Sequence, residues 1–226
     1  MHVAELWRYP IKSMAGERLT AATIGSDGIV GDRTVYVLGA HGRIVTARTR
    51  PRLLGHRATV GLDGEPLVDG RPWRDPDVGR DVVAAAGRGA RLIAAEGLER
   101  FDILPLLVAT DGAIAALDTD GRRLRPNIVI GGVPGLAERT WEGGELRIGN
   151  VRIGVQDLRG RCIMTTFHPD TLAQDTSVLR RINREFGGRV ALNCFVEQGG
   201  TITLGDPVKF VSADAIESAP TNRSGS

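Results

Sequence analysis

The chain has 226 residues, enough for one large domain or two small ones around a sizeable core. It is 42% hydrophobic and 25% charged, with a formal net charge of +2 and aromatics at only 4%. That near-balance of charge and the shortage of stacking rings argue against a nucleic-acid-binding or membrane-surface protein.

The N-terminus, MHVAELWRYPIKS, puts charges where a secretory leader would carry its apolar stretch, so no leader is expected. TVYVLGAHGRIVTAR reads as strand, turn, strand, with the turn between Gly39 and Gly42. The stretch 62–90 is rich in Gly, Pro and Asp; it predicts loops around short elements, separating two β-rich halves. The longest apolar run, ILPLLVA at 103–109, is far short of the roughly 20 residues a membrane-spanning helix needs, so no membrane partner is expected. Thr110-Asp111 can cap a short helix that stops at Gly121. ELRIGNVRIGV, 145–155, predicts a hairpin turning at Gly149-Asn150. Asp175 to Ser177 can cap a second helix with Val178, Leu179, Ile182 and Phe186 on one face and a stop at Gly187-Gly188. TITLGDPVKFV, 201–211, predicts another hairpin, turning at Gly205-Asp206. The tail from about 213 is expected to fray. The sum is a β-rich α+β protein with two intimately packed β units and a few short helices.

Two cysteines in the chain make no disulfide framework, and a reducing cytoplasm is the simplest compartment. Cys162, in RGRCIMTTFHPDT, follows Arg159 and Arg161, whose charge would favour a nucleophilic, metal-binding thiolate. The alternative is a buried small residue on a strand, the common fate of a free cysteine. Cys194, in ALNCFVEQ, sits among apolar residues and reads as core. The four histidines show no zinc-ligand spacing. Several basic clusters could hold an anion: Lys12 and Ser13 in YPIKS, Arg33 in GDR, Arg48 and Arg50 in ARTRPR, and Arg125 with Asn127 in RLRPN. Singly, each reads more readily as a solvated surface group. No Walker or GxGxxG loop accompanies them.

Taken in order, these pieces resemble MOSC-domain proteins, in the class where an N-terminal MOSC β-barrel domain precedes the MOSC domain and which includes the amidoxime-reducing components. VAELWRYPIKSMAGERL is similar to the family's opening strand, GIVGDRTVYVLGAHGRIVTARTRPRL to its Gly-x-x-x-Asp-Arg strand and following turn, and RLRPNIVIGG to its Arg-Pro-Asn-Ile-Val strand. The resemblance implies a MOSC β-barrel fold, with an N-terminal domain over 1–95, the MOSC domain over 96–212 and a tail over 213–226. It implies a molybdenum cofactor held through Cys162 as metal ligand. Lys12, Ser13, Arg33, Arg125 and Asn127 would grip the pterin and its phosphate, with Thr110 adding a hydrogen bond and Arg161 and Asn193 completing the set. Asp111 would stand near the metal as a proton relay. The implied activity is reduction of small N-oxygenated substrates, with electrons from a separate protein of ferredoxin, flavoprotein reductase or cytochrome b5 type. A persulfide-carrying sulfur transferase and a non-catalytic cofactor-binding protein are the alternatives. No ferredoxin-like domain or cysteine set for an iron–sulfur cluster is read in the chain. Pyridoxal phosphate is disfavoured, because Lys12 and Lys209 are the only lysines and neither sits in a suitable motif. Where reductase-like members carry a second cysteine before the thiol, this chain has DLRGRC, with Asp157 and Gly160.

Overall fold

The computed structural model describes residues 1–97 and 100–218. Its centre is an eight-stranded sheet in the order Val208–Val211, Glu145–Ile148, Val151–Gly160, Arg189–Gln198, Leu106–Thr110, Ile128–Gly131, His2–Arg8, Glu17–Leu19. Neighbours run antiparallel except Leu106–Thr110 and Ile128–Gly131, which are parallel. Those two are the central, nearly fully buried strands, as their unbroken apolar sequences LLVAT and IVIG require. Parallel neighbours need a crossover, and residues 111–127 supply it.

Three smaller sheets of three strands each surround this one. The hairpin around Gly39–Gly42 forms as expected, from Val35–Leu38 and Ile44–Val45, with Arg91–Ala94 added on the other side. Between residues 62 and 90 the sequence predicts only loops and short elements. The structure has an 11-residue helix there, α1 (Pro76–Ala86), capped by Asp75 and burying Val78, Val82, Ala85 and Ala86. Its start signal, Asp then Pro at the first turn, was present in the sequence.

The crossover helix α2 (Asp111–Leu117) is shorter than expected, because Asp118 already takes the left-handed conformation that ends it. α3 (Thr176–Phe186) buries Val178, Ile182 and Phe186 and stops at left-handed Gly187. The hairpin at Gly149-Asn150 is formed. The one expected over 201–211 is not. The chain does turn at 205–206, but Gly200–Thr203 pairs with Ala21–Gly25 and Val208–Val211 pairs with Glu145–Ile148. Val3 intervenes: its N–H donates to Asp206 O and its carbonyl accepts from Gly205 N, at 2.9 and 2.8 Å. Where the sequence predicts a tail fraying from about 213, the structure instead forms a short helix, α4 (Ala213–Glu217), and residues 219–226 of that expected tail lie outside the described residues.

The two halves of the sequence are interlaced. His2–Arg8 is part of the large sheet, and Val3, Leu6, Ala22, Ile24 and Ile29 share one core with Leu146, Ile153 and Ile202. A second core, around Ile11, Met14, Val37, Leu53, Val78 and Val82, is closed by Met164 and Phe167 from the later half. That contact brings the segment after Cys162 against the N-terminal part, and the candidate site lies at this junction.

Candidate functional site

The strand Val151–Gly160 delivers the thiol. Its pairing with Arg189–Gln198 slips between Val155 and Asp157 and again between Leu158 and Gly160. Such bulges re-aim the side chains that follow. Arg159, Gly160, Arg161 and Cys162 then line one pocket, and Cys162 caps a 3-10 turn over Ile163–Thr166. The Cys162 carbonyl accepts from Thr165 N at 3.1 Å and Thr165 Oγ1 at 2.9 Å, which fixes the backbone under the half-buried sulfur.

The N-terminal part supplies the opposite wall with Lys12, Ser13, Arg33, Thr46 and Arg48. Ser13, Arg33 and Arg125 share an unusual feature: all three hold left-handed backbone, at φ 74°, 50° and 56°. Left-handed non-glycine residues store strain and cluster at functional sites. Lys12 is buried; its amide donates to Val35 O at 2.8 Å, which locks the loop onto the neighbouring strand.

Six expected residues therefore meet at one pocket: Cys162, Lys12, Ser13, Arg33, Arg125 and Arg161. The other four do not line it. Thr110 is fully buried, where its hydroxyl accepts from Ala113 N and donates to Glu138, both at 3.1 Å; it caps α2. Asp111, expected near the metal, instead accepts from the backbone N–H groups of Gly112, Gly132 and Val133 at 2.8, 2.7 and 3.0 Å. Burial pushes its carboxyl up, but these three bonds outweigh it and hold the group below the usual range. Asn127 and Asn193 stand one layer behind. Asn127 Oδ1 accepts from Leu107 N at 3.1 Å and from Arg33 at 3.4 Å. Asn193 accepts from Arg159 at 3.2 Å and donates to Asp157 at 2.7 Å, so these two asparagines orient guanidinium groups.

The residue that sequence reasoning missed is Asp102. Its carboxylate meets Lys12 Nζ at 3.0 Å, Arg48 at 2.6 Å and Arg159 at 3.2 Å. Burial pushes its carboxyl up, yet the three cations prevail and keep it below the ordinary range. In sequence it sits in FDILPLL, where nothing local marks it. Arg123 was also missed; it is buried and donates to the carbonyls of Thr165 and Thr166 at 3.3 and 2.9 Å.

The electrostatics of the pocket are one-sided. Lys12, Arg33, Arg48, Arg123, Arg125, Arg159 and Arg161 line it, and Asp102 is the carboxylate among its lining residues. Burial, then the nearby Arg159, pulls the Arg161 guanidinium down to about 10. Burial likewise lowers Arg125 and Arg159, with neighbouring cations adding to it. Of the guanidinium groups lining this pocket, Arg123 Nε and Arg161 Nε are buried and have no hydrogen-bond partner among the described residues. Arg48 and Cys162 line the same pocket. Among the described residues no three His, Cys, Asp or Glu side chains gather to hold a metal ion by themselves. The donor set thus fits a ligand that is anionic and brings most of its own metal coordination, leaving one soft ligand to the protein. Cys194 is fully buried, and burial pushes its thiol far up, which removes it from such chemistry.

Fold and site together define a β-rich protein with a half-buried thiol in a pocket lined by seven basic side chains. The chain belongs to the MOSC-domain proteins: the MOSC N-terminal beta barrel domain matches residues 1–70 and the MOSC domain residues 108–209. It is 28% identical to the mitochondrial amidoxime-reducing component 1 of Homo sapiens and 26% identical to the mitochondrial amidoxime reducing component 2 of the same organism. Both matches cover 91% of this chain and 82% of the relative. Among solved structures, the YUAD protein from Bacillus subtilis matches with a TM-score of 0.50 at 16% identity, covering 93% of this chain and 95% of that one, a likeness of fold. Among the described residues no helix is long and apolar enough to cross a membrane.

Proposed function

We propose that the chain is a molybdenum-cofactor-dependent oxidoreductase that reduces small N-oxygenated compounds with electrons from a separate donor protein. The observation that carries this reading is the meeting of one half-buried thiol with seven basic side chains in a MOSC fold. The matched relatives named amidoxime reducing components support the reaction class.

Cys162 Sγ would ligate molybdenum, a metal that suits a soft thiolate. Lys12, Ser13, Arg33, Arg125 and Arg161 would hold the anionic pterin and its phosphate, and the two partnerless Nε atoms would gain acceptors. When bound, the cofactor supplies the two-electron redox chemistry. Asn127 and Asn193 orient Arg33 and Arg159 from behind, so the cations need not reorganise during turnover. The phosphate would take over from Asp102 the neutralisation of Lys12 and Arg48. The substrate takes up two electrons and two protons and releases its N-bound oxygen as water. A ferredoxin, flavoprotein reductase or cytochrome b5 type donor fits the electron supply. Pyridoxal phosphate chemistry is disfavoured, since Lys12 is already bound to Asp102 and to Arg100 O at 2.9 Å.

A second reading, sulfur transfer through a Cys162 persulfide, is favoured by one observation: Cys162 is a free, partly exposed cysteine in a pocket lined by seven basic side chains, the surroundings in which reactive cysteines are found. The test is metal analysis of the protein and its Cys162→Ala variant, both from a host that makes the cofactor. Near-stoichiometric molybdenum lost in the variant is the expected result. No molybdenum in either protein refutes the first reading and directs attention to sulfane sulfur on Cys162.

A further inference from the structure

We propose that a groove beside the Cys162 pocket binds the body of the substrate, and that this body is a flat aromatic group carrying a carboxylate. The inference rests on the function proposed above for its reference to turnover.

The groove has a volume of about 450 Å³, within the range of small-molecule sites. It shares a wall with the Cys162 pocket, made by Arg123, Arg125 and Met164. Met164 belongs to the 3-10 turn that Cys162 caps, so the groove begins two residues from the sulfur. Its apolar surface includes three aromatic side chains, Trp7, Tyr9 and Phe167, an unusual concentration in a chain with 4% aromatics. The Tyr9 ring is rigid: Arg125 stacks on it at 4.3 Å, Arg33 lies 5.4 Å from it, and its hydroxyl donates to Pro126 O at 3.2 Å. Burial pushes that hydroxyl's pKa up to about 12, so it remains a neutral wall.

The charge on the groove is unbalanced. Its carboxylate, Asp170, is already gripped by both terminal nitrogens of Arg122, at 2.8 and 2.7 Å. Arg18 and Arg57 line the same groove, are exposed, and have no side-chain ion pair among the described residues. Aromatic walls select a flat apolar body, and two unneutralised guanidinium groups select a carboxylate on it, through their planar donor fork. A neutral body would leave that field unused.

Benzoate and its neutral counterpart benzamide test this by titration calorimetry on the cofactor-loaded full chain. Benzoate is expected to bind roughly tenfold more tightly than benzamide. Arg18→Gln and Arg57→Gln, neither of which lines the Cys162 pocket, should each remove roughly threefold to fivefold of benzoate affinity and leave benzamide unchanged. Turnover should follow, with 4-carboxybenzamidoxime preferred over benzamidoxime in kcat/KM and the preference falling in both variants. Equal binding of benzoate and benzamide overturns the proposal, as does a benzoate preference insensitive to both substitutions. Benzoate binding that exists in cofactor-free protein and vanishes on loading also overturns it, since the groove would then belong to the cofactor. Arginine-dependent benzoate binding without turnover of either amidoxime keeps the binding site and removes the reductase reading.

Discussion

Replacing Asp102 by asparagine should move two quantities in opposite directions. Asp102 is the carboxylate lining the Cys162 pocket, within 3.2 Å of Lys12, Arg48 and Arg159, and its side chain keeps 32% of its surface open. Removing its charge leaves three crowded cations without their counter-ion. A fully buried pair broken on one side costs about 3–5 kcal/mol; a third of the surface exposed reduces that here to about 2 kcal/mol. The same charge repels any anion that enters. An anion seated between Lys12 and Arg48 would lie about 5 Å from the carboxylate, a repulsion of about 3 kcal/mol at an effective dielectric near 20. Salt and exposure bring this to about 1–2 kcal/mol, which is roughly a 5- to 30-fold gain in phosphate affinity for Asp102→Asn. Urea unfolding followed by tryptophan fluorescence, at several inorganic phosphate concentrations, reads both effects. The variant should unfold at lower urea without phosphate and gain more from each increment of it. Because the three cations hold the carboxyl low, the stability it contributes is present above its unfolded pKa of about 3.9 and is lost as pH falls through the lower folded value. The stability gap between wild type and variant should therefore close in acid, below about pH 4. If phosphate stabilises wild type as much as the variant, Asp102 does not compete with an anion and the pocket is not organised as described.

Three other substitutions separate structural from chemical roles. Asp111→Ala should cost about 1–2 kcal/mol, since three backbone N–H groups lose their acceptor, while phosphate affinity at the Cys162 pocket stays unchanged; a tighter phosphate site in the folded variant would show the Asp111 charge acting on the pocket, as the place near the metal that the family resemblance gave it requires. Gly112→Ala should destabilise by about 3 kcal/mol, because the new Cβ would meet the carbonyls of Gly135 and Val133; helix propensity alone predicts a gain of about 1 kcal/mol, so the sign of the change in urea midpoint decides. Cys194→Ala should cost about 1 kcal/mol and leave chemistry intact: native wild-type protein should react with a thiol reagent at Cys162 alone, unfolded protein at both cysteines, and a native reaction surviving Cys162→Ala would be contrary to the burial of Cys194.

What could be read from the sequence was local, and what escaped it was convergence. YPIKS, GDR, RLRP and RGRC each announce a cation or thiol near a turn, and the fold does bring Lys12, Ser13, Arg33, Arg125, Arg161 and Cys162 to one pocket. The left-handed backbone of Ser13, Arg33 and Arg125 was not legible, because nothing in the residue types Ser or Arg calls for positive φ. Asp102 was not legible either: its meaning comes from Lys12, Arg48 and Arg159, which arrive from positions 90, 54 and 57 residues away. The same distinction explains the hairpin that did not form over 201–211. Gly205-Asp206 correctly signals a reversal, since Asp206 accepts from Thr203 N at 2.7 Å. Which strands then pair is decided by the edges available, and Ala21–Gly25 and Glu145–Ile148 offered two different ones. The consequence for function is physical. Pairing Gly200–Thr203 with Ala21–Gly25 stitches the C-terminal strands to the N-terminal part, on which the Lys12 and Arg33 walls are built. A site shared by distant segments is held rigid only if those segments are joined elsewhere, and this misread pairing is one of the joins.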